Sequence, residues 1–224
     1  MKILLSWSSG KDSAWALHVL NQTHPGAVAA LLTTVNEAVD RVAMHAVRRD
    51  VLEAQAEAAG LPLRIVPIPH PCSNDVYEAR MRDAVAASVA DGFTHAAFGD
   101  LFLEDVRAYR ERMLAQTGLK PLFPIWGEDT RELSRWVVAN GFRSTLTCVD
   151  PRTMPPQFVG RAYDAALLEE LPEGVDPCGE NGEFHTFVHD APNFRHEIAV
   201  TVGETVEREG FWFADLMPVT DARS

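Results

Sequence analysis

The chain opens with a short buried-strand pattern, Ile3-Leu4-Leu5-Ser6, that runs directly into Trp7-Ser8-Ser9-Gly10-Lys11-Asp12-Ser13, and after it Trp15, Ala16, Val19 and Leu20 recur at helical spacing. A strand that turns through small hydroxyl residues and one glycine into a helix is the opening unit of a parallel sheet covered by helices. The same alternation continues. Strands are expected over 27–35, 63–68 and 95–98, and helices over 12–20, 46–59 (closed by Gly60), 74–90 (with Asn74 as cap) and 104–117. From Pro121 to Pro177 prolines become frequent and break regular elements, so a second subregion is expected there. Its pattern predicts helices over 129–140 and 161–171 and strands over 142–149, 184–188, 197–202 and 211–213. The expected fold is α/β, a doubly wound, mostly parallel sheet in residues 1–125, followed by a smaller α+β domain in residues 126–224.

Composition narrows the function. The chain has 224 residues, 46% hydrophobic and 23% charged, which suits a folded globular protein. Lys and Arg number 20 against 32 Asp and Glu, a net charge of −12 that repels nucleic-acid backbones and anionic lipid, so neither partner is expected. Cys72, Cys148 and Cys178 are scattered and form no CxxC pair, and neither a signal-peptide core nor an apolar run of ~20 residues is found, which points to a reducing cytoplasm. A homo-oligomer is left open.

Two segments carry chemistry. Between strand and helix, the residues Ser8 to Ser13 suit a bound polyphosphate: backbone N–H groups at a helix N-terminus, hydroxyl donors, Gly10 for close approach and Lys11 for charge. An ordinary capped turn, with Ser9 or Asp12 as N-cap, would use the same residues. The loop is not a Walker A motif, because Leu5 stands where its first glycine would be and Asp12 where its Ser/Thr would be. The second segment is Cys178-Gly179-Glu180-Asn181-Gly182-Glu183-Phe184-His185-Thr186. Asn181-Gly182 signals a two-residue hairpin turn, which would set Glu180 against Glu183 at a cost of up to ~1 kcal/mol unless a cation or ammonium lay between them. A solvated hairpin tip is the plain alternative. His185 and His189 could share one face of a strand, without further metal-ligand spacing.

The first loop resembles the S-G-G-x-D-S pattern of enzymes that cleave ATP between the α and β phosphates, with Ser9 in place of the first glycine. Paired with a GExGE(F/Y)HT-type segment, it resembles the diphthine–ammonia ligase family, related to the N-type ATP pyrophosphatases. Met44-His45, Gly60-Leu61-Pro62-Leu63, Phe98-Gly99-Asp100, the stretch from Pro121 to Trp126 and Asp176-Pro177-Cys178 extend the resemblance over most of the chain. The resemblance implies a cofactor site for ATP and Mg²⁺. Ser8, Ser9, Gly10, Lys11, Asp12 and Ser13 would hold the phosphates, Thr33 and Thr34 would meet adenine, and Gly99 and Asp100 would face nucleotide or metal, Asp12 and Asp100 being the metal candidates. Glu180, Asn181, Gly182, Glu183 and His185 would line the side of the carboxylate acceptor and ammonium. Lys11, Asp12, Glu180, Glu183 and His185 would carry the reaction. That reaction is activation of a carboxylate with AMP, release of pyrophosphate and transfer of ammonia. The competing readings are the same type of ATP pyrophosphatase acting on another small carboxylate, tRNA sulfur transfer, which calls for paired cysteines and a basic face, and a non-catalytic adenine-nucleotide sensor.

Overall fold

A computed structural model describes residues 1–219. Ile3–Ser6 (β1) is the central strand of a parallel sheet, flanked by Val28–Asn36 (β2) on one side and His95–Ala97 (β5) on the other. Leu63–Ile68 (β4) extends the sheet outward from β2, and Lys120–Leu122 (β6) extends it outward from β5. The two-residue strand Arg41–Val42 (β3) folds back antiparallel on the end of β2. The chain therefore winds one way from β1 through β2 to β4 and the other way from β5 to β6. The switch point lies between β1 and β5, where open α/β sheets place their ligands.

Both sheet faces are buried, which is why β1 reads as an unbroken apolar run. Ile3, Leu5, Leu31 and Val35 face Lys11–Thr23 (α1) and Arg49–Ala59 (α2), while Leu4, Leu32, Ala96 and Phe98 face Asn74–Ala90 (α3) and Glu104–Leu114 (α4). The second half holds Thr130–Ala139 (α5), Arg143–Val149 (β7), Ala165–Glu170 (α6), Phe184–Asp190 (β8), Val200–Arg208 (β9) and Phe211–Pro218 (β10). Its antiparallel sheet runs β8-β7-β10-β9. One apolar cluster joins Leu5 and Leu17 to Phe142, Leu146 and Phe187, so the halves share a core.

Several expected boundaries move for local reasons. α2 begins at Arg49, not residue 46, because Ala46 has φ +54° and the Val47 carbonyl accepts the Val42 N–H at 2.8 Å, closing the β3 turn. Ser73, not Asn74, caps α3, accepting the Val76 N–H at 3.4 Å. The helix expected over 161–171 shrinks to 165–170, since Gly160 and Tyr163 hydrogen-bond to β7 and Asp164 caps the helix through the Leu167 N–H. β9 starts three residues later than expected and runs on to Arg208 with mostly exposed side chains, so no burial alternation marked it.

The hairpin expected at Asn181-Gly182 does not form. The Gly182 N–H closes a turn onto the Gly179 carbonyl at 3.1 Å, and regular strand begins only at Phe184. Asp176 and Glu183 build the turn crosswise. The Asp176 carboxylate accepts the N–H groups of Cys178 and Glu180 at 3.2 and 3.0 Å, and Glu183 Oε1 accepts the Asp176 N–H and the Asn181 side-chain amide, both at 3.0 Å. Glu180 and Glu183 therefore do not oppose each other. Long-range carboxylate bonds override the local Asn-Gly signal.

Candidate active site

The loop between β1 and α1 is held from below by one buried amide. Gln55, on α2, is fully buried; its Oε1 accepts the Trp7 indole N–H at 2.7 Å, and its Nε2 donates to the carbonyls of Ser9 (3.0 Å) and Val188 (2.6 Å). From the side, β8 closes on the loop: the Val188 N–H donates to the Ser9 carbonyl at 3.0 Å, and the Thr186 hydroxyl accepts the Lys11 N–H at 3.1 Å. Ser9 itself has φ +71°, the left-handed conformation that the glycine of the S-G-G-x-D-S pattern adopts without strain. Neither Ser9 nor Asp12 caps α1. Gly10 occupies the N-cap position, and a Cβ there would lie 2.8 Å from His45 Cε1, so glycine is what lets that ring rest on the loop. A Cβ on Gly99 would likewise come within 3.0 Å of the Asp12 backbone, so glycine lets the end of β5 approach the first turn of α1.

These contacts leave a cleft of about 500 Å³ over the switch point. Ser8, Lys11, Asp12 and Ser13 line it from the loop, and Thr33 and Thr34 line it from the end of β2. Gly99 and Asp100 enter at the end of β5, and Glu180 and His185 enter from the second half of the chain. The remaining expected residues stand behind this surface. Ser9 is fully buried and serves the loop's hydrogen bonds, and Gly10 gives the close approach just described. Asn181 and Gly182 form the turn, and Glu183, 4% exposed, clamps it. His189 lies apart from His185, beside Glu197 at 3.5 Å in a separate cleft. Asp100 caps no helix, since α4 begins at Glu104 with Leu103 before it.

Charge in the cleft is arranged around Lys11. Its buried ammonium donates to both Asp12 oxygens at 2.9 Å and to the Cys178 carbonyl. Burial works against that charge, yet Asp12, Cys178 and Glu180 outweigh it, and Lys11 is held above its usual range. Glu180 reaches across the cleft to accept the Leu101 N–H at 2.7 Å and the Phe102 N–H at 3.4 Å. Burial pushes its carboxyl up to about 7, helped by the Asp12 charge and opposed by those amides and Lys11. Asp100 is raised by burial and by Asp12, against Arg110, whose Nε lies 3.6 Å from Asp100 Oδ2. Both of those atoms are buried without a hydrogen bond among the described residues.

Sequence reasoning left out Arg110, Thr186, His45 and an apolar wall made by Tyr77 and Met81 of α3 with Tyr109 and Met113 of α4. Met44-His45 stood out as a matching stretch, but nothing in the local sequence says that its ring reaches β8. Among the described residues no helix is long and apolar enough to cross a membrane.

Comparison with known proteins agrees with this architecture. Residues 1–121 match the family model of the diphthamide synthase N-terminal domain, and residues 129–220 match that of the diphthamide synthase C-terminal domain. A diphthine–ammonia ligase of Danio rerio is 27% identical over 231 residues, covering 92% of this chain and 89% of that protein. One from Schizosaccharomyces pombe is also 27% identical over 92% of this chain, which spans only 37% of that longer protein. One from Homo sapiens is 30% identical over half of this chain and 44% of that protein. With an open, mostly parallel sheet, the Ser8 to Ser13 loop at its switch point and family models matching both halves, the chain belongs to the diphthamide synthase family.

Proposed function

We propose that the chain is an ATP-dependent carboxylate–ammonia ligase that forms AMP, with residues 1–125 binding ATP and residues 126–224 completing the acceptor side. The observation that carries this reading is the meeting of Glu180 and His185 with the Ser8 to Ser13 loop in one cleft, although some 170 residues of sequence lie between them. The names of the relatives, diphthine–ammonia ligases, support ammonia and an acceptor of the diphthine kind.

In this reading the triphosphate lies at the N-terminus of α1, against the cleft-lining residues Ser8, Lys11, Asp12 and Ser13. The acceptor carboxylate attacks the α phosphorus, the bond to the β phosphate breaks, and pyrophosphate leaves. Ammonia then displaces AMP from the acyl carbon. No protein nucleophile is required, so positioning and charge do the work. Of the two expected glutamates only Glu180 faces the cleft, and its carboxyl near 7 suits it to take a proton from the incoming ammonium at neutral pH. Asp12 and the orphaned Asp100 oxygen are hard donors lining the same cleft and fit Mg²⁺, which would screen the phosphates when bound. Sulfur transfer is not favoured: burial pushes the Cys148 and Cys178 thiols up to about 12, so neither is a ready thiolate. The reading places the protein in a reducing cytoplasm, on the scattered cysteines of its sequence.

The test is incubation with labelled ATP, ammonium and a panel of carboxylates, including a diphthine-bearing translocation factor, with products identified by mass spectrometry. An amide formed in step with AMP is expected. Lys11→Ala and Asp12→Ala should each weaken Mg-ATP binding by about tenfold or more, as each removes a charged partner of phosphate or metal. Unchanged affinity in both would defeat the reading.

A further inference from the structure

We infer that His45 and His185 form an anion subsite of the cleft that receives the triphosphate beside Lys11, the pair taking up a proton from solvent as the nucleotide enters. This rests on the ATP reading above and adds a residue and a proton balance to it.

The geometry comes first. The two rings lie 4.6 Å apart and both line the cleft beside the Ser8 to Ser13 loop. His45 Nδ1 lies 3.0 Å from the Thr186 carbonyl and must carry the proton to bond there, which leaves Nε2 as the open nitrogen. No hydrogen bond to the His185 ring is found among the described residues. Placing His45 strains the backbone: Met44 and Ala46, immediately before and after it, sit at φ +59° and +54°. A non-glycine residue in that region is unfavourable, and such strain collects where a side chain must be aimed.

Charge supplies the reason for a proton. Lys11 is the only cation of the loop itself, and Asp12 already pairs with it. A triphosphate brings several negative charges that Lys11 alone does not balance. Arg82 and Arg110 stand on the walls built by α3 and α4, while the two imidazoles stand on the loop side. Lys11 on α1 is the charge that reaches both histidines, and His45 also reaches His185. Glu180, Asp12 and Asp100 line the remaining walls. Burial pushes His45 down to about 4, with the Thr186 carbonyl opposing and Lys11 adding to it. Burial, His45 and Lys11 hold His185 well below its usual range. Both rings are therefore neutral without ligand, and a polyanion beside them reverses the sign of the field. At 4.6 Å between ring centroids the two titrations are coupled, so a proton on one ring disfavours a proton on the other and the pair takes up one.

The experiment is calorimetric titration of Mg-bound α,β-methylene-ATP at pH 6.5 in buffers of different ionisation enthalpy, for wild type and for His45→Gln/His185→Asn. The γ-phosphate's own proton is common to both proteins and cancels in the comparison. On binding, wild type should take up more protons than the double mutant, by about half a proton or more, and should bind about tenfold more tightly. That advantage should close above pH 8. Equal proton uptake in the two proteins, with both binding, overturns the inference and leaves the ATP reading intact. Absence of binding to wild type overturns the ATP reading and the inference with it. If the double mutant does not fold, ¹⁵N imidazole spectra of wild type decide: ring nitrogens moving to the cationic range on adding nucleotide support the pair, and unmoved neutral shifts overturn it.

Discussion

Replacing Ser9 by glycine is expected to stabilise the protein, which is the reverse of what a buried position usually gives. Two unfavourable features meet at this residue. Its φ of +71° costs a side-chain-bearing residue about 1 kcal/mol. Its hydroxyl is fully buried and has no hydrogen-bond partner among the described residues, a further ~1 kcal/mol or more. Glycine removes both and adds back about 0.5–1 kcal/mol of unfolded-chain freedom. The net expectation is a gain of about 1–1.5 kcal/mol, or roughly 2–6 °C in Tm for a chain of this size. Ser9→Ala separates the contributions, since alanine loses the hydroxyl and keeps the strain; it should lie between wild type and glycine. Urea unfolding followed by circular dichroism measures all three. A glycine variant no more stable than wild type, or an alanine variant at least as stable as the glycine one, would refute the reasoning about this turn.

Gln55→Leu should cost about 3 kcal/mol in urea unfolding, because it orphans the buried Trp7 indole N–H and removes one bond each from the Ser9 and Val188 carbonyls; a loss under ~1 kcal/mol would mean the amide does not hold the loop. Asp215 on β10 accepts hydrogen bonds from Arg48 through both oxygens (2.9 and 2.5 Å) and from Arg41 at 2.8 Å, and these partners lower its carboxyl from 3.8 to about 2. Its folded value is depressed, so its stabilisation is complete above the unfolded value and is lost as pH falls towards 2. Asp215→Asn should lower stability by about 1–2 kcal/mol at pH 7, and urea midpoints of the two proteins should converge below pH 3; a gap that does not change with pH would rule out the ion pairs as its source.

The sequence made the sheet legible where the signal is local. β1, β4 and α1 follow from contiguous apolar runs and helical spacing, and the loop between β1 and α1 follows from its residue types in that position. What stayed hidden depends on contacts between distant segments. The Asn181-Gly182 signal was real as a turn but wrong as a hairpin, because Asp176 and Glu183 hold each other's loop ends and Glu180 is drawn to the Leu101 amide 79 residues away. His45 gave no pattern of its own, since its meaning comes from Thr186, 141 residues further on. β3, two residues long, and β9, exposed along most of its length, carry too little burial to leave a period. The apolar wall of the cleft escaped for another reason: Tyr77, Met81, Tyr109 and Met113 fit the ordinary pattern of helices packed on a sheet, and only the arrangement of α3 beside α4 turns them towards a cavity.

The central claim is that a carboxylate attacks the α phosphate of ATP in this cleft. Supplying the reacting carboxylate labelled with ¹⁸O, together with ATP and ammonium, tests it directly. Attack on the α phosphorus leaves one acceptor oxygen on the nucleotide when ammonia displaces it, so mass spectrometry should find ¹⁸O in AMP and unlabelled pyrophosphate. Attack on the γ phosphorus would instead yield ADP, with the label in inorganic phosphate, and that result would contradict the account.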